Sequence, residues 1–177
     1  MPVFIVLFRG VGGAAQLPVK PLREKLTEAG FANVATYINS GNAVLKSRLG
    51  REKAVERIAE ICRREFGFDK DIHAATAEEW RELIANNPFP KALDVPKYLH
   101  AAVLEKAPAQ ANVEKIRAYA ADGERIEIVG TVAYLHTPDG FGTSKMAERF
   151  DKLIGVANTA RNWNTVLKLM ELAEAAA

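Results

Sequence analysis

Val3-Phe4-Ile5-Val6-Leu7-Phe8-Arg9-Gly10-Val11-Gly12-Gly13 opens the chain with six apolar residues in unbroken succession, followed by a glycine-rich stop. A short apolar run without alternation predicts a strand buried on both faces, because a strand with one wet face needs an apolar residue only at every second position. Both faces therefore need cover. The first cover lies just downstream. Pro18 suits a first helical position, Val19, Leu22, Leu26 and Ala29 recur at helical spacing, and Gly30 stops the helix with Phe31 placed to fold back on its last turn. Pro21 falls in the first turn, where its missing N–H has no intrahelical partner to lose.

Two short runs, Asn33–Ile38 and Ala43–Lys46, flank Asn39-Ser40-Gly41-Asn42, whose Gly and Asn tolerate positive φ, so this stretch reads as a hairpin. Val55, Ile58, Ala59, Cys62 and Phe66 then form one apolar stripe of a second helix, with Arg and Glu on its other faces. After Gly67, Asp71–Ala75 completes the order β-α-β-β-α-β, the split βαβ or ferredoxin-like arrangement. Thr76 and Glu79 make a capping box for a helix with Trp80, Leu83 and Ile84 on its apolar side. Residues 86–97 hold three prolines and read as a connector.

Beyond it the pattern is strand (98–104), helix after Pro108, and hairpin (125–129 and 132–136 around Gly130-Thr131), a half-repeat of the first part. Two helices close the chain, one facing inward with Met146, Phe150, Leu153 and Ile154, the other with Trp163, Val166, Leu167 and Met170. The expected fold class is α+β: a ferredoxin-like subdomain over residues 1–76, packed with a smaller α+β subdomain over residues 77–177.

Composition agrees with a folded chain: of 177 residues, 49% are hydrophobic and 26% charged, away from the signature of disorder. No run reaches the ~18 apolar residues of a membrane helix, and the N-terminus lacks a basic leader, so a cytoplasmic location without membrane association is expected. The single cysteine, Cys62, has no partner thiol and sits on a helix stripe, where it reads as inert core. His73, His100 and His136 are scattered without ligand spacing, so neither a metal nor another cofactor is expected. Residues 1–66 carry 11 Lys and Arg against 6 acids, a net +5, which leaves −3 for the remainder. Such asymmetry suits an anion-facing half, although solvated helix faces produce it more often.

Gly10-Val11-Gly12-Gly13-Ala14-Ala15 matches the dinucleotide fingerprint only in form: the helix starts too late to meet a pyrophosphate, and residues 29–39 offer no acid for a ribose. The fold places something else there. If strand three lies between strands one and two and antiparallel to both, strands one and two end at the same edge. Arg9, Gly10 and Gly12 then converge with Asn39, Ser40, Gly41 and Asn42 as an anion nest of a guanidinium, backbone N–H groups and short polar side chains. The competing reading is that the glycines only turn the chain and the asparagines satisfy their own turn.

Ser144 and Lys145 follow a glycine-rich loop at a helix start, as phosphate-binding N-termini do, yet Ser144 as a plain N-cap is the commoner explanation. Asn162 reads as another N-cap, while Arg161 beside it has no structural role legible in the sequence. Ser40 lies in no nucleophile elbow, and no histidine pairs with it as a base.

Leu7-Phe8-Arg9-Gly10-Val11-Gly12-Gly13, Leu22-Arg23, Ala29-Gly30-Phe31, Thr36 to Asn42, Asn87-Pro88-Phe89-Pro90, Ser144-Lys145-Met146 and Thr159 to Thr165 together resemble a bacterial family classed as a domain of unknown function. The family's usual opening, Leu-Arg-Gly-Ile-Asn-Val-Gly-Gly, is shortened here by the Ile-Asn step. The resemblance implies a ferredoxin-like first half and a second α+β subdomain, and it brings no activity. The leading expectation is binding of an anionic or phosphorylated small molecule or nucleotide in one cleft, contacted by Arg9, Gly10, Gly12, the Asn39–Asn42 turn, Ser144, Lys145, Arg161 and Asn162. Open beside it are nucleic-acid binding through the basic first part, an enzyme acting on a phosphorylated substrate, and a structural or homodimerising module.

Overall fold

The computed structural model describes residues 1–37 and 41–177, and divides into two compact units, Met1–Glu82 with Lys168–Ala177, and Leu83–Leu167. In the first unit the order is β1 (Val3–Phe8), α1 (Val19–Glu28), β2 (Ala32–Tyr37), β3 (Asn42–Lys46), α2 (Arg51–Phe66), β4 (Ile72–Thr76) and α3 (Ala77–Ala85). The sheet order is β2-β3-β1-β4 with every pairing antiparallel, so β3 does lie between β1 and β2 and those two end at one edge.

Alternate residues of β1 explain its unbroken apolarity. Phe4, Val6 and Phe8 pack with Leu22 and Leu26 of α1 and with Ile58, Ile61 and Cys62 of α2. Ile5 and Leu7, which point the other way, are fully buried as well. Both helices end as the sequence predicts: Gly30 at φ +99° and Gly67 at φ +63° turn the chain, and the amides of Phe31 and Phe68 bond back to Leu26 and Cys62. The Thr76–Glu79 capping box is reciprocal, with Thr76 N donating to Glu79 Oε2 (2.9 Å) and Glu79 N to Thr76 Oγ1 (3.1 Å). Asn33, at φ +50°, donates from Nδ2 to the Ala176 carbonyl (2.9 Å), which ties the end of the chain to this unit.

The second unit takes in the last residues of α3 and continues through two 3-10 turns, Pro90–Asp94 and Pro96–Tyr98, inside the stretch read as a plain connector. Then come β5 (Leu99–Leu104), α4 (Gln110–Arg117), β6 (Arg125–Val129), β7 (Val132–His136), α5 (Lys145–Leu153), β8 (Asn158–Asn162) and the start of α6 (Trp163–Ala176), which from Lys168 onward belongs to the first unit. Its sheet order, β6-β7-β5-β8, is that of the first unit, again fully antiparallel.

The correspondence extends to register. Leu7 stands opposite Asn42 and His73, and Val103 opposite Val132 and Thr159. Just past the strands, Phe8 N bonds to Gly41 O and Leu104 N to Thr131 O, each at 2.8 Å; Arg9 N bonds to Asp71 O and Glu105 N to Ala157 O. The half-repeat expected from the sequence is thus a full one. Two readings need correction. Residues 158–162 form strand β8, where the sequence suggested only the approach to a helix. Leu167 is 42% exposed, and Leu169 takes the buried place on α6.

Candidate functional site

The end of β1 is where the two glycine-rich segments of the first unit meet. Gly41, at φ +78°, sits so close to the first loop that a Cβ there would fall 2.6 Å from Val11 Cγ2 and 2.8 Å from Phe8 Cβ. Only glycine fits. The loop itself is closed: Gly12 and Ala15 exchange both backbone hydrogen bonds (2.7 and 3.0 Å), and Gln16 Nε2 donates to the Gly13 carbonyl (2.7 Å). Convergence is therefore real, but the N–H groups of Arg9 and Gly12 already have backbone acceptors and cannot serve in a nest.

Beside this contact lies an open concavity of about 420 Å³, lined by Arg9, Gly10, Asp69, Lys70 and Asp71. The Lys70 stem crosses Gly10, whose missing Cβ would stand 3.7 Å from Lys70 Cγ. Two cations and two carboxylates share the rim. Asn42 is buried and donates from Nδ2 to the Tyr37 carbonyl (3.2 Å), so part of its amide closes its own hairpin, as the competing reading holds. Asn39 and Ser40 lie outside the described residues.

The remaining candidates belong to the second unit. Ser144 is the N-cap of α5, its Oγ accepting from Ala147 N (3.1 Å), and Lys145 is exposed at the helix's first position. Asn162 caps α6 by accepting from Asn164 N (2.9 Å) and donates from Nδ2 to Lys97 O (2.8 Å). Arg161 donates to the Ala160 carbonyl (2.8 Å), and burial brings its pKa down to about 10, so it stays cationic at neutral pH. Phe141, from the loop before α5, stacks on His100 with ring centres 3.8 Å apart, and His100 pairs with Asn162 across the sheet.

Sequence reasoning passed over Lys70 and His100. Lys70 had a readable signal, since the topology ends α2 beside the start of β4 and hence beside Arg9. His100 had none. Burial lowers its pKa to about 4, and burial is also the largest cause of the lowered values at His73 and His136, so all three imidazoles are neutral near pH 7.

The two matched units differ in the length of the connections at one end of the sheet. Residues 9–18 make a ten-residue connection from β1 to α1, against five (105–109) from β5 to α4. Four residues (38–41) separate β2 from β3 along the chain, against two (130–131) between β6 and β7. Both extra lengths fall at the same sheet edge.

The chain is thus an α+β protein of two register-matched β-α-β-β-α-β units with an elaborated loop edge on the first. It belongs to the family described as protein of unknown function (DUF1697), whose pattern matches residues 1–134, as the sequence resemblance led one to expect. Its fold is shared with the conserved bacterial protein SP0830 from Streptococcus pneumoniae: TM-score 0.71 at 16% identity, covering 97% of this chain and 98% of that one. No curated protein matches the sequence.

Proposed function

We propose that the loop edge of the first unit binds a phosphorylated or otherwise anionic small molecule or nucleotide, with Arg9 and Lys70 as its charged contacts. The supporting observation is the doubling of both loops at one edge, relative to a second unit that closes the same sheet in the same register without them. Extra loop length costs ordering entropy and adds nothing to sheet closure, so a fold keeps it where the loops do something else. Asp69 and Asp71 shape the preference: they disfavour a bare polyanion and suit a ligand that pairs its negative group with hydroxyl or amino donors.

Nucleic-acid binding along α2 has less support. Part of its charge is offset by its own acids: Arg51 pairs with Glu79 at 2.6 Å, Arg64 meets Glu65, and Arg57 and Arg64 share Glu60, each at 3.8 Å. Such a face presents little net charge to a phosphate backbone.

The test is a thermal-shift panel of inorganic phosphate, pyrophosphate, AMP, ATP and ribose 5-phosphate. A ligand at 100 times its Kd adds about 2.7 kcal/mol of stability, enough for a clear shift. Arg9→Ala and Lys70→Ala should each abolish or sharply reduce it.

A further inference from the structure

We propose a second binding site, for an amphiphilic anion such as a medium-chain carboxylate, at the opposite end of the first sheet. There β1 begins, β2 begins and β3 ends, and no residue of the long β1–α1 loop contributes. A concavity of about 580 Å³ opens among Met1, Gly30, Phe31, Arg48, Leu49 and Arg57 with a few small neighbours, within the size range of small-molecule sites.

Its lining has two parts of different chemistry. Met1, Phe31, Leu49 and the alanines beside Phe31 make an apolar wall. Met1 and Leu49 are two of the few large apolar side chains left substantially exposed, so the wall is open to a guest. Gly30 adds room: its φ of +99° is required by the α1 stop, and nothing stands within 4 Å of where a Cβ would project.

The charge on the rim is of one sign. Arg48 and Arg57 line the concavity, and no carboxylate does. Arg48 forms no ion pair or hydrogen bond among the described residues. Arg57 reaches Glu60 only at 3.8 Å, and Glu60 is shared at the same distance with Arg64. Two under-compensated guanidiniums above an apolar wall suit a ligand with a carboxylate or similar head and a short hydrocarbon body; guanidinium pairs carboxylates in a bidentate fork. A purely polar anion would leave the wall unused, and an uncharged chain would leave both guanidiniums unpaired.

The experiment is isothermal titration of the full chain with octanoate, with octan-1-ol and inorganic phosphate as comparators. The expected result is saturable one-site binding of octanoate, tighter than either comparator. Arg48→Ala combined with Arg57→Ala should weaken it about tenfold or more, since a charged hydrogen-bonding pair is lost. Leu49→Ser should weaken it too, whereas Arg9→Ala and Lys70→Ala should leave it unchanged, which separates this site from the loop edge. Octan-1-ol binding as tightly as octanoate, an unchanged affinity in the double arginine variant, or no octanoate binding would each overturn the proposal.

Discussion

Gly41→Ala is the substitution on which the loop edge turns. At φ +78° an L-residue takes on a left-handed strain of about 1–2 kcal/mol. The new methyl would lie 2.8 Å from Phe8 Cβ and 3.0 Å from Phe8 O, atoms fixed by the β1 backbone, and 2.6 Å from Val11 Cγ2, which can turn away. Relieving contacts that short by backbone movement costs about 1–3 kcal/mol. The reduced freedom of the unfolded chain returns roughly 0.4–1 kcal/mol. The expected net loss is about 3 kcal/mol. Gly130 gives the control, because it has φ +60° and nothing within 4 Å of a built Cβ, so Gly130→Ala should cost only the left-handed strain, about 1 kcal/mol. Urea unfolding followed by tryptophan fluorescence reads both, as midpoint shifts at constant slope. Adding Val11→Ala to Gly41→Ala should recover part of the loss and not all of it, because the Phe8 contacts persist. Equal costs at Gly41 and Gly130 would refute the claim that the two loops are fitted together.

Other outcomes follow from single side chains. Thr76→Ala removes half of the capping box and should cost about 1 kcal/mol, measurable by the same urea titration. Cys62, with its thiol pushed up to about 12 by burial, should react with a thiol reagent only as fast as the protein opens; rapid labelling of the native chain would contradict its place in the core. His100 is lowered from 6.5 to about 4, so the unfolded chain binds the extra proton first as pH falls. The stabilisation is complete above about pH 6.5 and is lost progressively down to about pH 4, by up to about 3 kcal/mol. His100→Gln should flatten that part of the stability–pH curve.

Much of this fold was legible because β1 declares itself: an apolar run buried on both faces admits few arrangements, and the helix stops at Gly30 and Gly67 bracket its two covering helices. The approach of the two loops followed from topology alone. β8 escaped because Asn158–Asn162 is an edge strand, paired only with β5, and its sequence Asn-Thr-Ala-Arg-Asn has no apolar alternation and a single β-branched residue, Thr159. The signal that could have found it is the repeat: a βαββ-helix series matching the first unit lacks only its fourth strand before the last helix. The free backbone donors expected in the first loop were misjudged for a different reason. The small Gly12–Ala15 bridge takes the Gly12 donor and Asp71 takes that of Arg9, and glycine content does not reveal which turn a loop will close.

The loop-edge site is tested most directly by titrating the wild type, Arg9→Ala and Lys70→Ala with the five phosphate compounds under identical conditions. The expected result is saturable stabilisation of the wild type by at least one of them, with affinity reduced at least tenfold in both variants. No shift with any compound, or a shift that both variants reproduce in full, would contradict it.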